Sequence, residues 1–296
     1  MKKILIIGSR RNGTKNDPQL IARQITSEDV EAGLAYWEDL VFDITTGKVK
    51  ILYSDSDIIT DKPDLVIALG WYKNGKDSIY RDIAYSVALA LKHAGITFWN
   101  SEMGNQRSTT KLSMMVQLAL ENLDVPHTLF SLNFGAIESK HEYPFIAKAV
   151  AASRGKSNYL VESDSDLLDL KQLDGHFIIQ DFLPNDHDLR VICFNGHPQL
   201  VLRRSRDPEA DTHLNNTSQG GRATWLELGD VNKQLLTFVE KIAIITGREM
   251  AGIDLIPDAM SAFGYSCLEV NPVPQLTSGT DIDKKLASFH EAIRSL

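Results

Sequence analysis

Two short stretches near the end of the chain carry oxygen donors at alternate positions. In Ala251-Gly252-Ile253-Asp254-Leu255-Ile256 and Ser266-Cys267-Leu268-Glu269-Val270-Asn271, apolar and polar residues alternate, which is the pattern of strands with two unlike faces. A turn centred on Ala259-Met260-Ser261-Ala262 sets Asp254 opposite Cys267. Glu269 is then its diagonal neighbour on the same face, with Asn271 one step beyond. Carboxylates converging this closely repel unless a cation lies between them, and an all-oxygen donor set suits hard Mg2+ or Mn2+ rather than zinc. For an arbitrary strand pair, two solvated acids on an exposed face is the plainer reading, so the residues upstream decide.

Upstream lies a basic hairpin. Asn195-Gly196 is the strongest short signal for a two-residue turn, flanked by Leu189–Phe194 and Pro198–Leu202. Pairing outward from it opposes Phe194 to His197, Arg190 to Val201 and Asp188 to Arg203, so Asp188, Arg190 and Arg203 share a face. Two guanidinium groups there match a phosphate or carboxylate, against the alternative of a surface salt-bridge ladder. Lys148 lies inside the strand Phe145-Ile146-Ala147-Lys148-Ala149-Val150, where a charge has a reason to be only if it meets an anion. The small-residue loop Ala151-Ala152-Ser153-Arg154-Gly155-Lys156-Ser157 follows and is able to fold over phosphates with its backbone N–H groups. Lys111 opens a helix, whose positive end also favours phosphate, although exposed lysines at helix starts are common. The polar run Asn215-Asn216-Thr217-Ser218-Gln219-Gly220-Gly221-Arg222 is either plain surface or a loop over a ligand. Neither the Walker pattern nor the dinucleotide-binding glycine pattern is present.

The elements that must hold these residues divide near residue 100. Apolar strands at 3–7, 64–69 and 96–99 with a helix over Asp77–Ala94 predict a small parallel α/β domain, residues 1–100. A helix over Ser108–Leu123, closed by Pro126, leads into paired strands at 145–150, 157–161 and 177–182, then the two hairpins, with a further helix over Val231–Thr246. The boundaries expected are 101–176 for a small lobe with the phosphate loop and 177–296 for a C-terminal lobe with the metal site, an α/β plus α+β architecture. Over 296 residues, 43% hydrophobic content builds packed cores without staples, and Cys193 and Cys267 read as reduced structural thiols. A net charge of −8 disfavours a general nucleic-acid binder, and no apolar run reaches membrane-span length, so a cytoplasmic setting is expected.

In order, Lys111, Lys148 with its loop, Gln180-Asp181-Phe182-Leu183, Asp188-Leu189-Arg190, Arg203-Arg204, Asn215/Asn216 with Gly220-Gly221, Asp254 and Glu269-Val270-Asn271-Pro272 resemble the ATP-grasp superfamily. Within it they resemble the RimK-like branch of amino acid ligases, and also glutathione synthetase, over roughly residues 100–296. The resemblance implies the ATP-grasp fold, with two α+β lobes gripping ATP after an N-terminal parallel domain. It implies that Lys111 and Lys148 hold ATP phosphates and approach adenine, and that Ser153, Arg154 and Gly155 close over the phosphates. The backbone of Gln180, Asp181, Phe182 and Leu183 faces adenine, Asp188 falls near the ribose or substrate, and Asn215 and Asn216 belong to the nucleotide site. Arg190 and one of Arg203 and Arg204 meet the transferred phosphate, while Asp254, Glu269 and Asn271 hold magnesium or manganese.

The sequence departs from the pattern in three places. The phosphate loop has one glycine where two or three are usual. An ungapped count from Asp188 selects Arg204, whereas the ideal hairpin selects Arg203, so a bulge would decide. Pro272-Val273-Pro274-Gln275-Leu276 replaces the small-residue stretch that shapes the acceptor site, which leaves the substrate open. The implied reaction is attack of a carboxylate on the γ-phosphate to give an acylphosphate, which an amine displaces. No nucleophilic side chain is needed, and no Ser-His-Asp or Cys-His arrangement stands out. Arg10, Arg11 and Tyr72 are candidates for the acceptor or donor site in the first domain. Expected partners are ATP and small or peptide carboxylate and amine substrates, without nucleic acid or membrane, and with homo-oligomers possible. An ATP-grasp enzyme with another nucleophile and a non-catalytic ATP binder are the alternatives.

Overall fold

Four consecutive isoleucines and leucines at Ile4–Ile7 are buried on both faces of strand β1 (Lys2–Gly8), as a central parallel strand requires. They belong to a computed structural model that describes residues 1–10, 16–69, 78–100, 111–138, 140–150, 158–173, 175–207, 209, 212, 214–215 and 221–296. The expectations for Arg11, Tyr72, Ser153, Arg154, Gly155, Asn216 and Gly220 lie outside the described residues.

Helix α1 (Pro18–Ile25) starts where the Asp17 carboxylate accepts from the backbone N–H groups of Gln19 and Leu20, with Pro18 in the first turn. After β2 (Val30–Tyr36) comes a small antiparallel sheet of β3 (Val41–Thr45), β4 (Lys48–Tyr53) and β5 (Ser56–Asp57), followed by α2 (Ile58–Asp61). Then β6 (Leu65–Ala68), α3 (Ser78–Ala94) and β7 (Phe98–Trp99) complete a parallel sheet in the order β2-β1-β6-β7. The predicted parallel sheet is thus present. The sequence reading lacked β2 and the β3–β5 sheet, whose exposed Val41, Ile44 and Val49 break the alternation that marks a half-buried strand.

Helix α4 (Lys111–Leu120) leads to β8 (Thr128–Phe130), α5 (Gly135–Glu138), β9 (Phe145–Ala149), β10 (Asn158–Val161), α6 (Asp164–Lys171) and β11 (Phe177–Asp181). Here the sheet is antiparallel, in the order β10-β9-β11-β8. One of its faces, with Phe145, Ala147, Phe177 and Ile179, packs on Ile137, Leu167 and Leu170. The other carries Lys148, Ile178 and Gln180.

The remainder is a five-stranded antiparallel sheet, β14-β13-β12-β15-β16, made from β12 (His187–Phe194), β13 (His197–Ser205), β14 (Arg222–Leu226), β15 (Met250–Pro257) and β16 (Tyr265–Pro272). Helix α7 (Lys233–Thr246), capped by Asn232 and ended by Gly247 in the left-handed region, covers one face together with α4. There Met114, Met115 and Leu118 meet Leu189, Val191, Phe238, Ile242, Ile253 and Leu255. Both thiols, Cys193 and Cys267, are free and buried in this core, and burial pushes each of them up.

The opposite face of the same sheet is shared between two tasks. At one end Ile192, Phe194 and Met250 pack against Ile4, Ile6, Ile67 and Trp99 of the parallel sheet, sealed by Leu286, Phe289 and Ile293 of α8 (Ile282–Arg294). The other end carries charges and is described below. Among the described residues no helix is long and apolar enough to cross a membrane.

Phe289 is fully buried, with its ring 5.0 Å from Phe194 and 6.4 Å from Trp99. Phe289→Ala removes a side chain common to three elements and is expected to cost about 3–5 kcal/mol in urea unfolding, as large-to-small core changes do. A loss below about 1 kcal/mol, the size of an average point mutation, would mean that α8 does not seal this core.

Candidate active site

Along β12, Asp188 and Arg190 project from the face that continues into Ile192 and Phe194. On β15, Asp254 lies directly opposite Arg190 and on that same face. The guanidinium grips the carboxylate with both ends, Nε to Oδ1 at 2.8 Å and a terminal nitrogen to Oδ2 at 2.6 Å. The predicted hairpin register fails one strand away. Pro198 still faces Cys193, but Leu200 faces Ile192, so Gln199 is an extra residue and everything beyond moves by one. Asp188 therefore opposes Arg204, and Arg190 opposes Leu202. Arg204, not Arg203, joins the charged face: its Nε donates to Asp188 Oδ1 at 2.5 Å, and a terminal nitrogen lies 3.2 Å from Asp254 Oδ1. Arg203 points to the other side, half-exposed, toward His187 and Asp186.

A second single-residue bulge corrects the acidic hairpin. Cys267 pairs with Leu255, but Glu269 pairs with Asp254, which leaves Leu268 as the extra residue. The two carboxylates are direct cross-strand neighbours, not diagonal ones, and Asn271 opposes Gly252. Burial would push both aspartates up. Asp188 is raised despite Arg204, whereas the combined field of Arg190 and Arg204 holds Asp254 below the usual carboxylate range.

Helix α4 and the small sheet β10-β9-β11-β8 each bring one ammonium group to these acids. Lys111, at the start of α4, is 3.8 Å from Glu269. Lys148 is buried on β9, within the electrostatic reach of Glu269, Lys111 and Asp254, and burial lowers it to about 8. On the neighbouring strand β11, Gln180 is buried with its amide N–H on Thr128 Oγ1 at 2.9 Å and its Oε1 without a hydrogen-bond partner among the described residues. Asp181 turns to the reverse face, toward His127 and His141. In the connection that follows, Asn185 Nδ2 donates to the Leu183 carbonyl at 2.7 Å, and Asn215 Nδ2 donates to Asn185 Oδ1 at 2.6 Å. Asn215 Oδ1 is likewise buried without a partner.

Sequence reasoning missed Asn185, although Pro184-Asn185 is a turn signal that could have marked it. It also missed Lys285, whose ammonium donates to the carbonyls of Gln275 and Ser278 at 2.6 Å and so ties down the stretch after Asn271. That stretch is further held by Asn16 Oδ1 on Leu276 N–H and by Thr277 Oγ1 on Asp17 N–H. Within it Val273 has a φ of 63°, a left-handed conformation unusual for a β-branched residue. Arg10 is paired with Asp39 and lies over the Tyr36 ring.

A family model described as the RimK-like ATP-grasp domain matches residues 108–289, more than half of the chain. A probable alpha-L-glutamate ligase of Trichodesmium erythraeum is 26% identical over 254 residues, covering 79% of this chain and 83% of that protein. Another, from Alkalilimnicola ehrlichii, is 26% identical over 205 residues, 65% of this chain and 66% of the relative's length, just short of two thirds. Among solved structures, the ATP-grasp ligase PsnB, complexed with a phosphomimetic variant of its minimal precursor, Mg and ADP, superimposes with a TM-score of 0.72. It is 16% identical, covering 100% of this chain and 99% of that one, and so shares the fold. The chain therefore belongs to the RimK-like ATP-grasp family and is an ATP-grasp ligase.

Proposed function

We propose that this ligase attaches an amino acid, with glutamate the leading candidate, to a peptide or small-molecule acceptor through an acylphosphate. One observation carries the reading: Lys111 of α4 and Lys148 of the small sheet meet the Asp254–Glu269 pair of the five-stranded sheet, with Arg190 and Arg204 alongside. The names of the relatives and the peptide precursor bound by PsnB support the choice of substrates. In this reading ATP lies between the two faces. Adenine has an exocyclic amine, and Gln180 Oε1, buried and unpartnered, is the acceptor that such an amine needs. The Leu183 carbonyl, with Asn185 on it, stands at the same edge.

Asp254, Glu269 and Asn271 fit a hard cation. All their donors are oxygens, two of the residues are paired acids, and Asp254, with Arg190 on both oxygens and Arg204 on Oδ1, keeps a lone pair of Oδ2 to spare. Mg2+ or Mn2+ held there would neutralise phosphate charge. In this reading the chain's own residues do the rest. Lys111 and Lys148 hold the phosphates, and Arg190 and Arg204 face the oxygens of the group in transfer. Positioning and charge neutralisation are what phosphoryl transfer requires of a protein. The acceptor carboxylate attacks the γ-phosphorus, ADP leaves, the amine attacks the acyl carbon, and phosphate departs while the amine gives up a proton. The stretch 272–278, tied by Lys285, Asn16 and Thr277, shapes the acceptor seat at the edge of the parallel domain. A cytoplasmic setting suits a consumer of ATP.

Purified protein supplied with Mg-ATP, glutamate and a peptide pool is expected to release phosphate and gain products heavier by one residue or more. Asp254→Asn and Glu269→Gln should each lower kcat about a hundredfold or more, the scale on which lost charge stabilisation shows. Undiminished turnover in both variants would remove the metal assignment, and no turnover with any amine would remove the ligase reading.

Arg204→Met leaves buried Asp188 without its arginine and takes one of two from Asp254, and should cost about 3–5 kcal/mol in chemical denaturation, the range for breaking a buried pair. Arg203→Met should stay within about 0.5 kcal/mol, as surface changes do. Equal losses would mean that the hairpin bulge has been misplaced.

A further inference from the structure

On the reverse face of the small sheet, away from Lys148 and Gln180, two imidazoles and a carboxylate converge. Asp181 Oδ1 lies 3.3 Å from His127 Nδ1 and 3.3 Å from His141 Nε2. One ligand atom from each of the three residues falls within 4.8 Å of the others. We propose that His127, His141 and Asp181 bind a divalent transition metal, with zinc the best-fitting ion, at a site separate from the ATP-linked cation.

Three observations support this. The first is spacing. Nitrogen and oxygen ligands about 2.1 Å from a tetrahedral zinc stand about 3.4 Å from one another, close to the two separations here. The second is the state of His141. Its side chain is 6% exposed and its Nε2 is buried, yet among the described residues no group meets it in hydrogen-bonding geometry, Asp181 included. Buried polar nitrogens nearly always have a partner, and a metal is one that needs no donor–acceptor alignment with a neighbour. The third is orientation. The His141 ring stacks on Phe145, 5.3 Å between centroids and 15° between planes, so its nitrogen is aimed before any ion arrives. An ordinary His–Asp hydrogen bond accounts for His127 alone, since His127 Nδ1 reaches Asp181 at 3.3 Å.

The donor set distinguishes this site from the other. Two imidazole nitrogens favour zinc, nickel, copper or cobalt, whereas Asp254, Glu269 and Asn271 offer oxygen only. Three protein ligands leave a fourth place for water, and the exposure of His127 and Asp181 gives the ion a way in. The ion would join three segments: the lead-in to β8, the turn before β9, and the end of β11 where the connection through Phe182 and Leu183 begins. The backbone already links two of them, through the Asp181 N–H on the His127 carbonyl at 3.1 Å.

The test is zinc titration of the chelator-stripped full chain by calorimetry in excess Mg2+, with a thermal melt alongside. One tightly bound zinc per chain is expected, with a higher Tm. Binding should weaken at least tenfold in His127→Ala and in His141→Gln, and stay unchanged in Asp254→Asn. If His141→Gln fails to fold, the exposed His127 variant still decides. Absence of saturable zinc binding would overturn the proposal, as would binding that survives His127→Ala or that is lost in Asp254→Asn.

Discussion

The carboxylate of Asp254 lies on a sheet face from which water is largely excluded, and such a group is tolerated only beside positive charge. Arg190 and Arg204 supply that charge, and Asp188 balances Arg204 in turn. Four alternating charges on three adjacent strands therefore hold one another in place. Because β12 lies between β13 and β15, any slip of either neighbour would separate a pair, so the network also fixes register. The pairs set directions as well as distances, leaving Lys111, Lys148 and Glu269 grouped around the same acid.

The residue types of this network were legible from the chain, and their partners were only partly so. Alternation in β12, β15 and β16 placed Arg190, Asp254 and Glu269 on sheet faces, because side chains alternate whatever the strand pairs with. What alternation does not encode is a bulge. One extra residue at Gln199 exchanged Arg203 for Arg204, and another at Leu268 turned a diagonal pair into a direct one. Neither position carries the glycine that would have announced it. Family resemblance favoured Arg204 because an aligned count absorbs a bulge that an ideal hairpin lacks.

Elsewhere legibility followed burial. Strands β1 and β6 contain continuous apolar runs, β9 is apolar apart from Lys148, and all three were read within a residue or two, as was α3. Strand β2, with Glu31, Ala32 and Gly33 at its start, has the composition of a loop and becomes a strand because β1 offers it an edge. Contacts between distant segments stayed hidden. Lys285 reads as one more polar residue on an amphipathic helix until the carbonyls of Gln275 and Ser278 are seen around it. His127 and His141 are likewise unremarkable until the strand end carrying Asp181 brings them together.

The distribution of the cores has a mechanical consequence. Residues of the parallel sheet, of α8 and of the five-stranded sheet share one apolar cluster, so these parts form a common chassis. The small sheet with α5 and α6 keeps its core to itself. Parting it from the chassis would separate Lys148 from Glu269 and Gln180 from Met115 of α4 without dividing either apolar cluster. The chassis holds both acids, both arginines and the anchored stretch after Asn271, whereas the small sheet holds Lys148 and Gln180. Under the proposed function, access for a nucleotide is thereby decoupled from the alignment of whatever is joined: a lid with its own core could lift without disturbing the workbench beneath it.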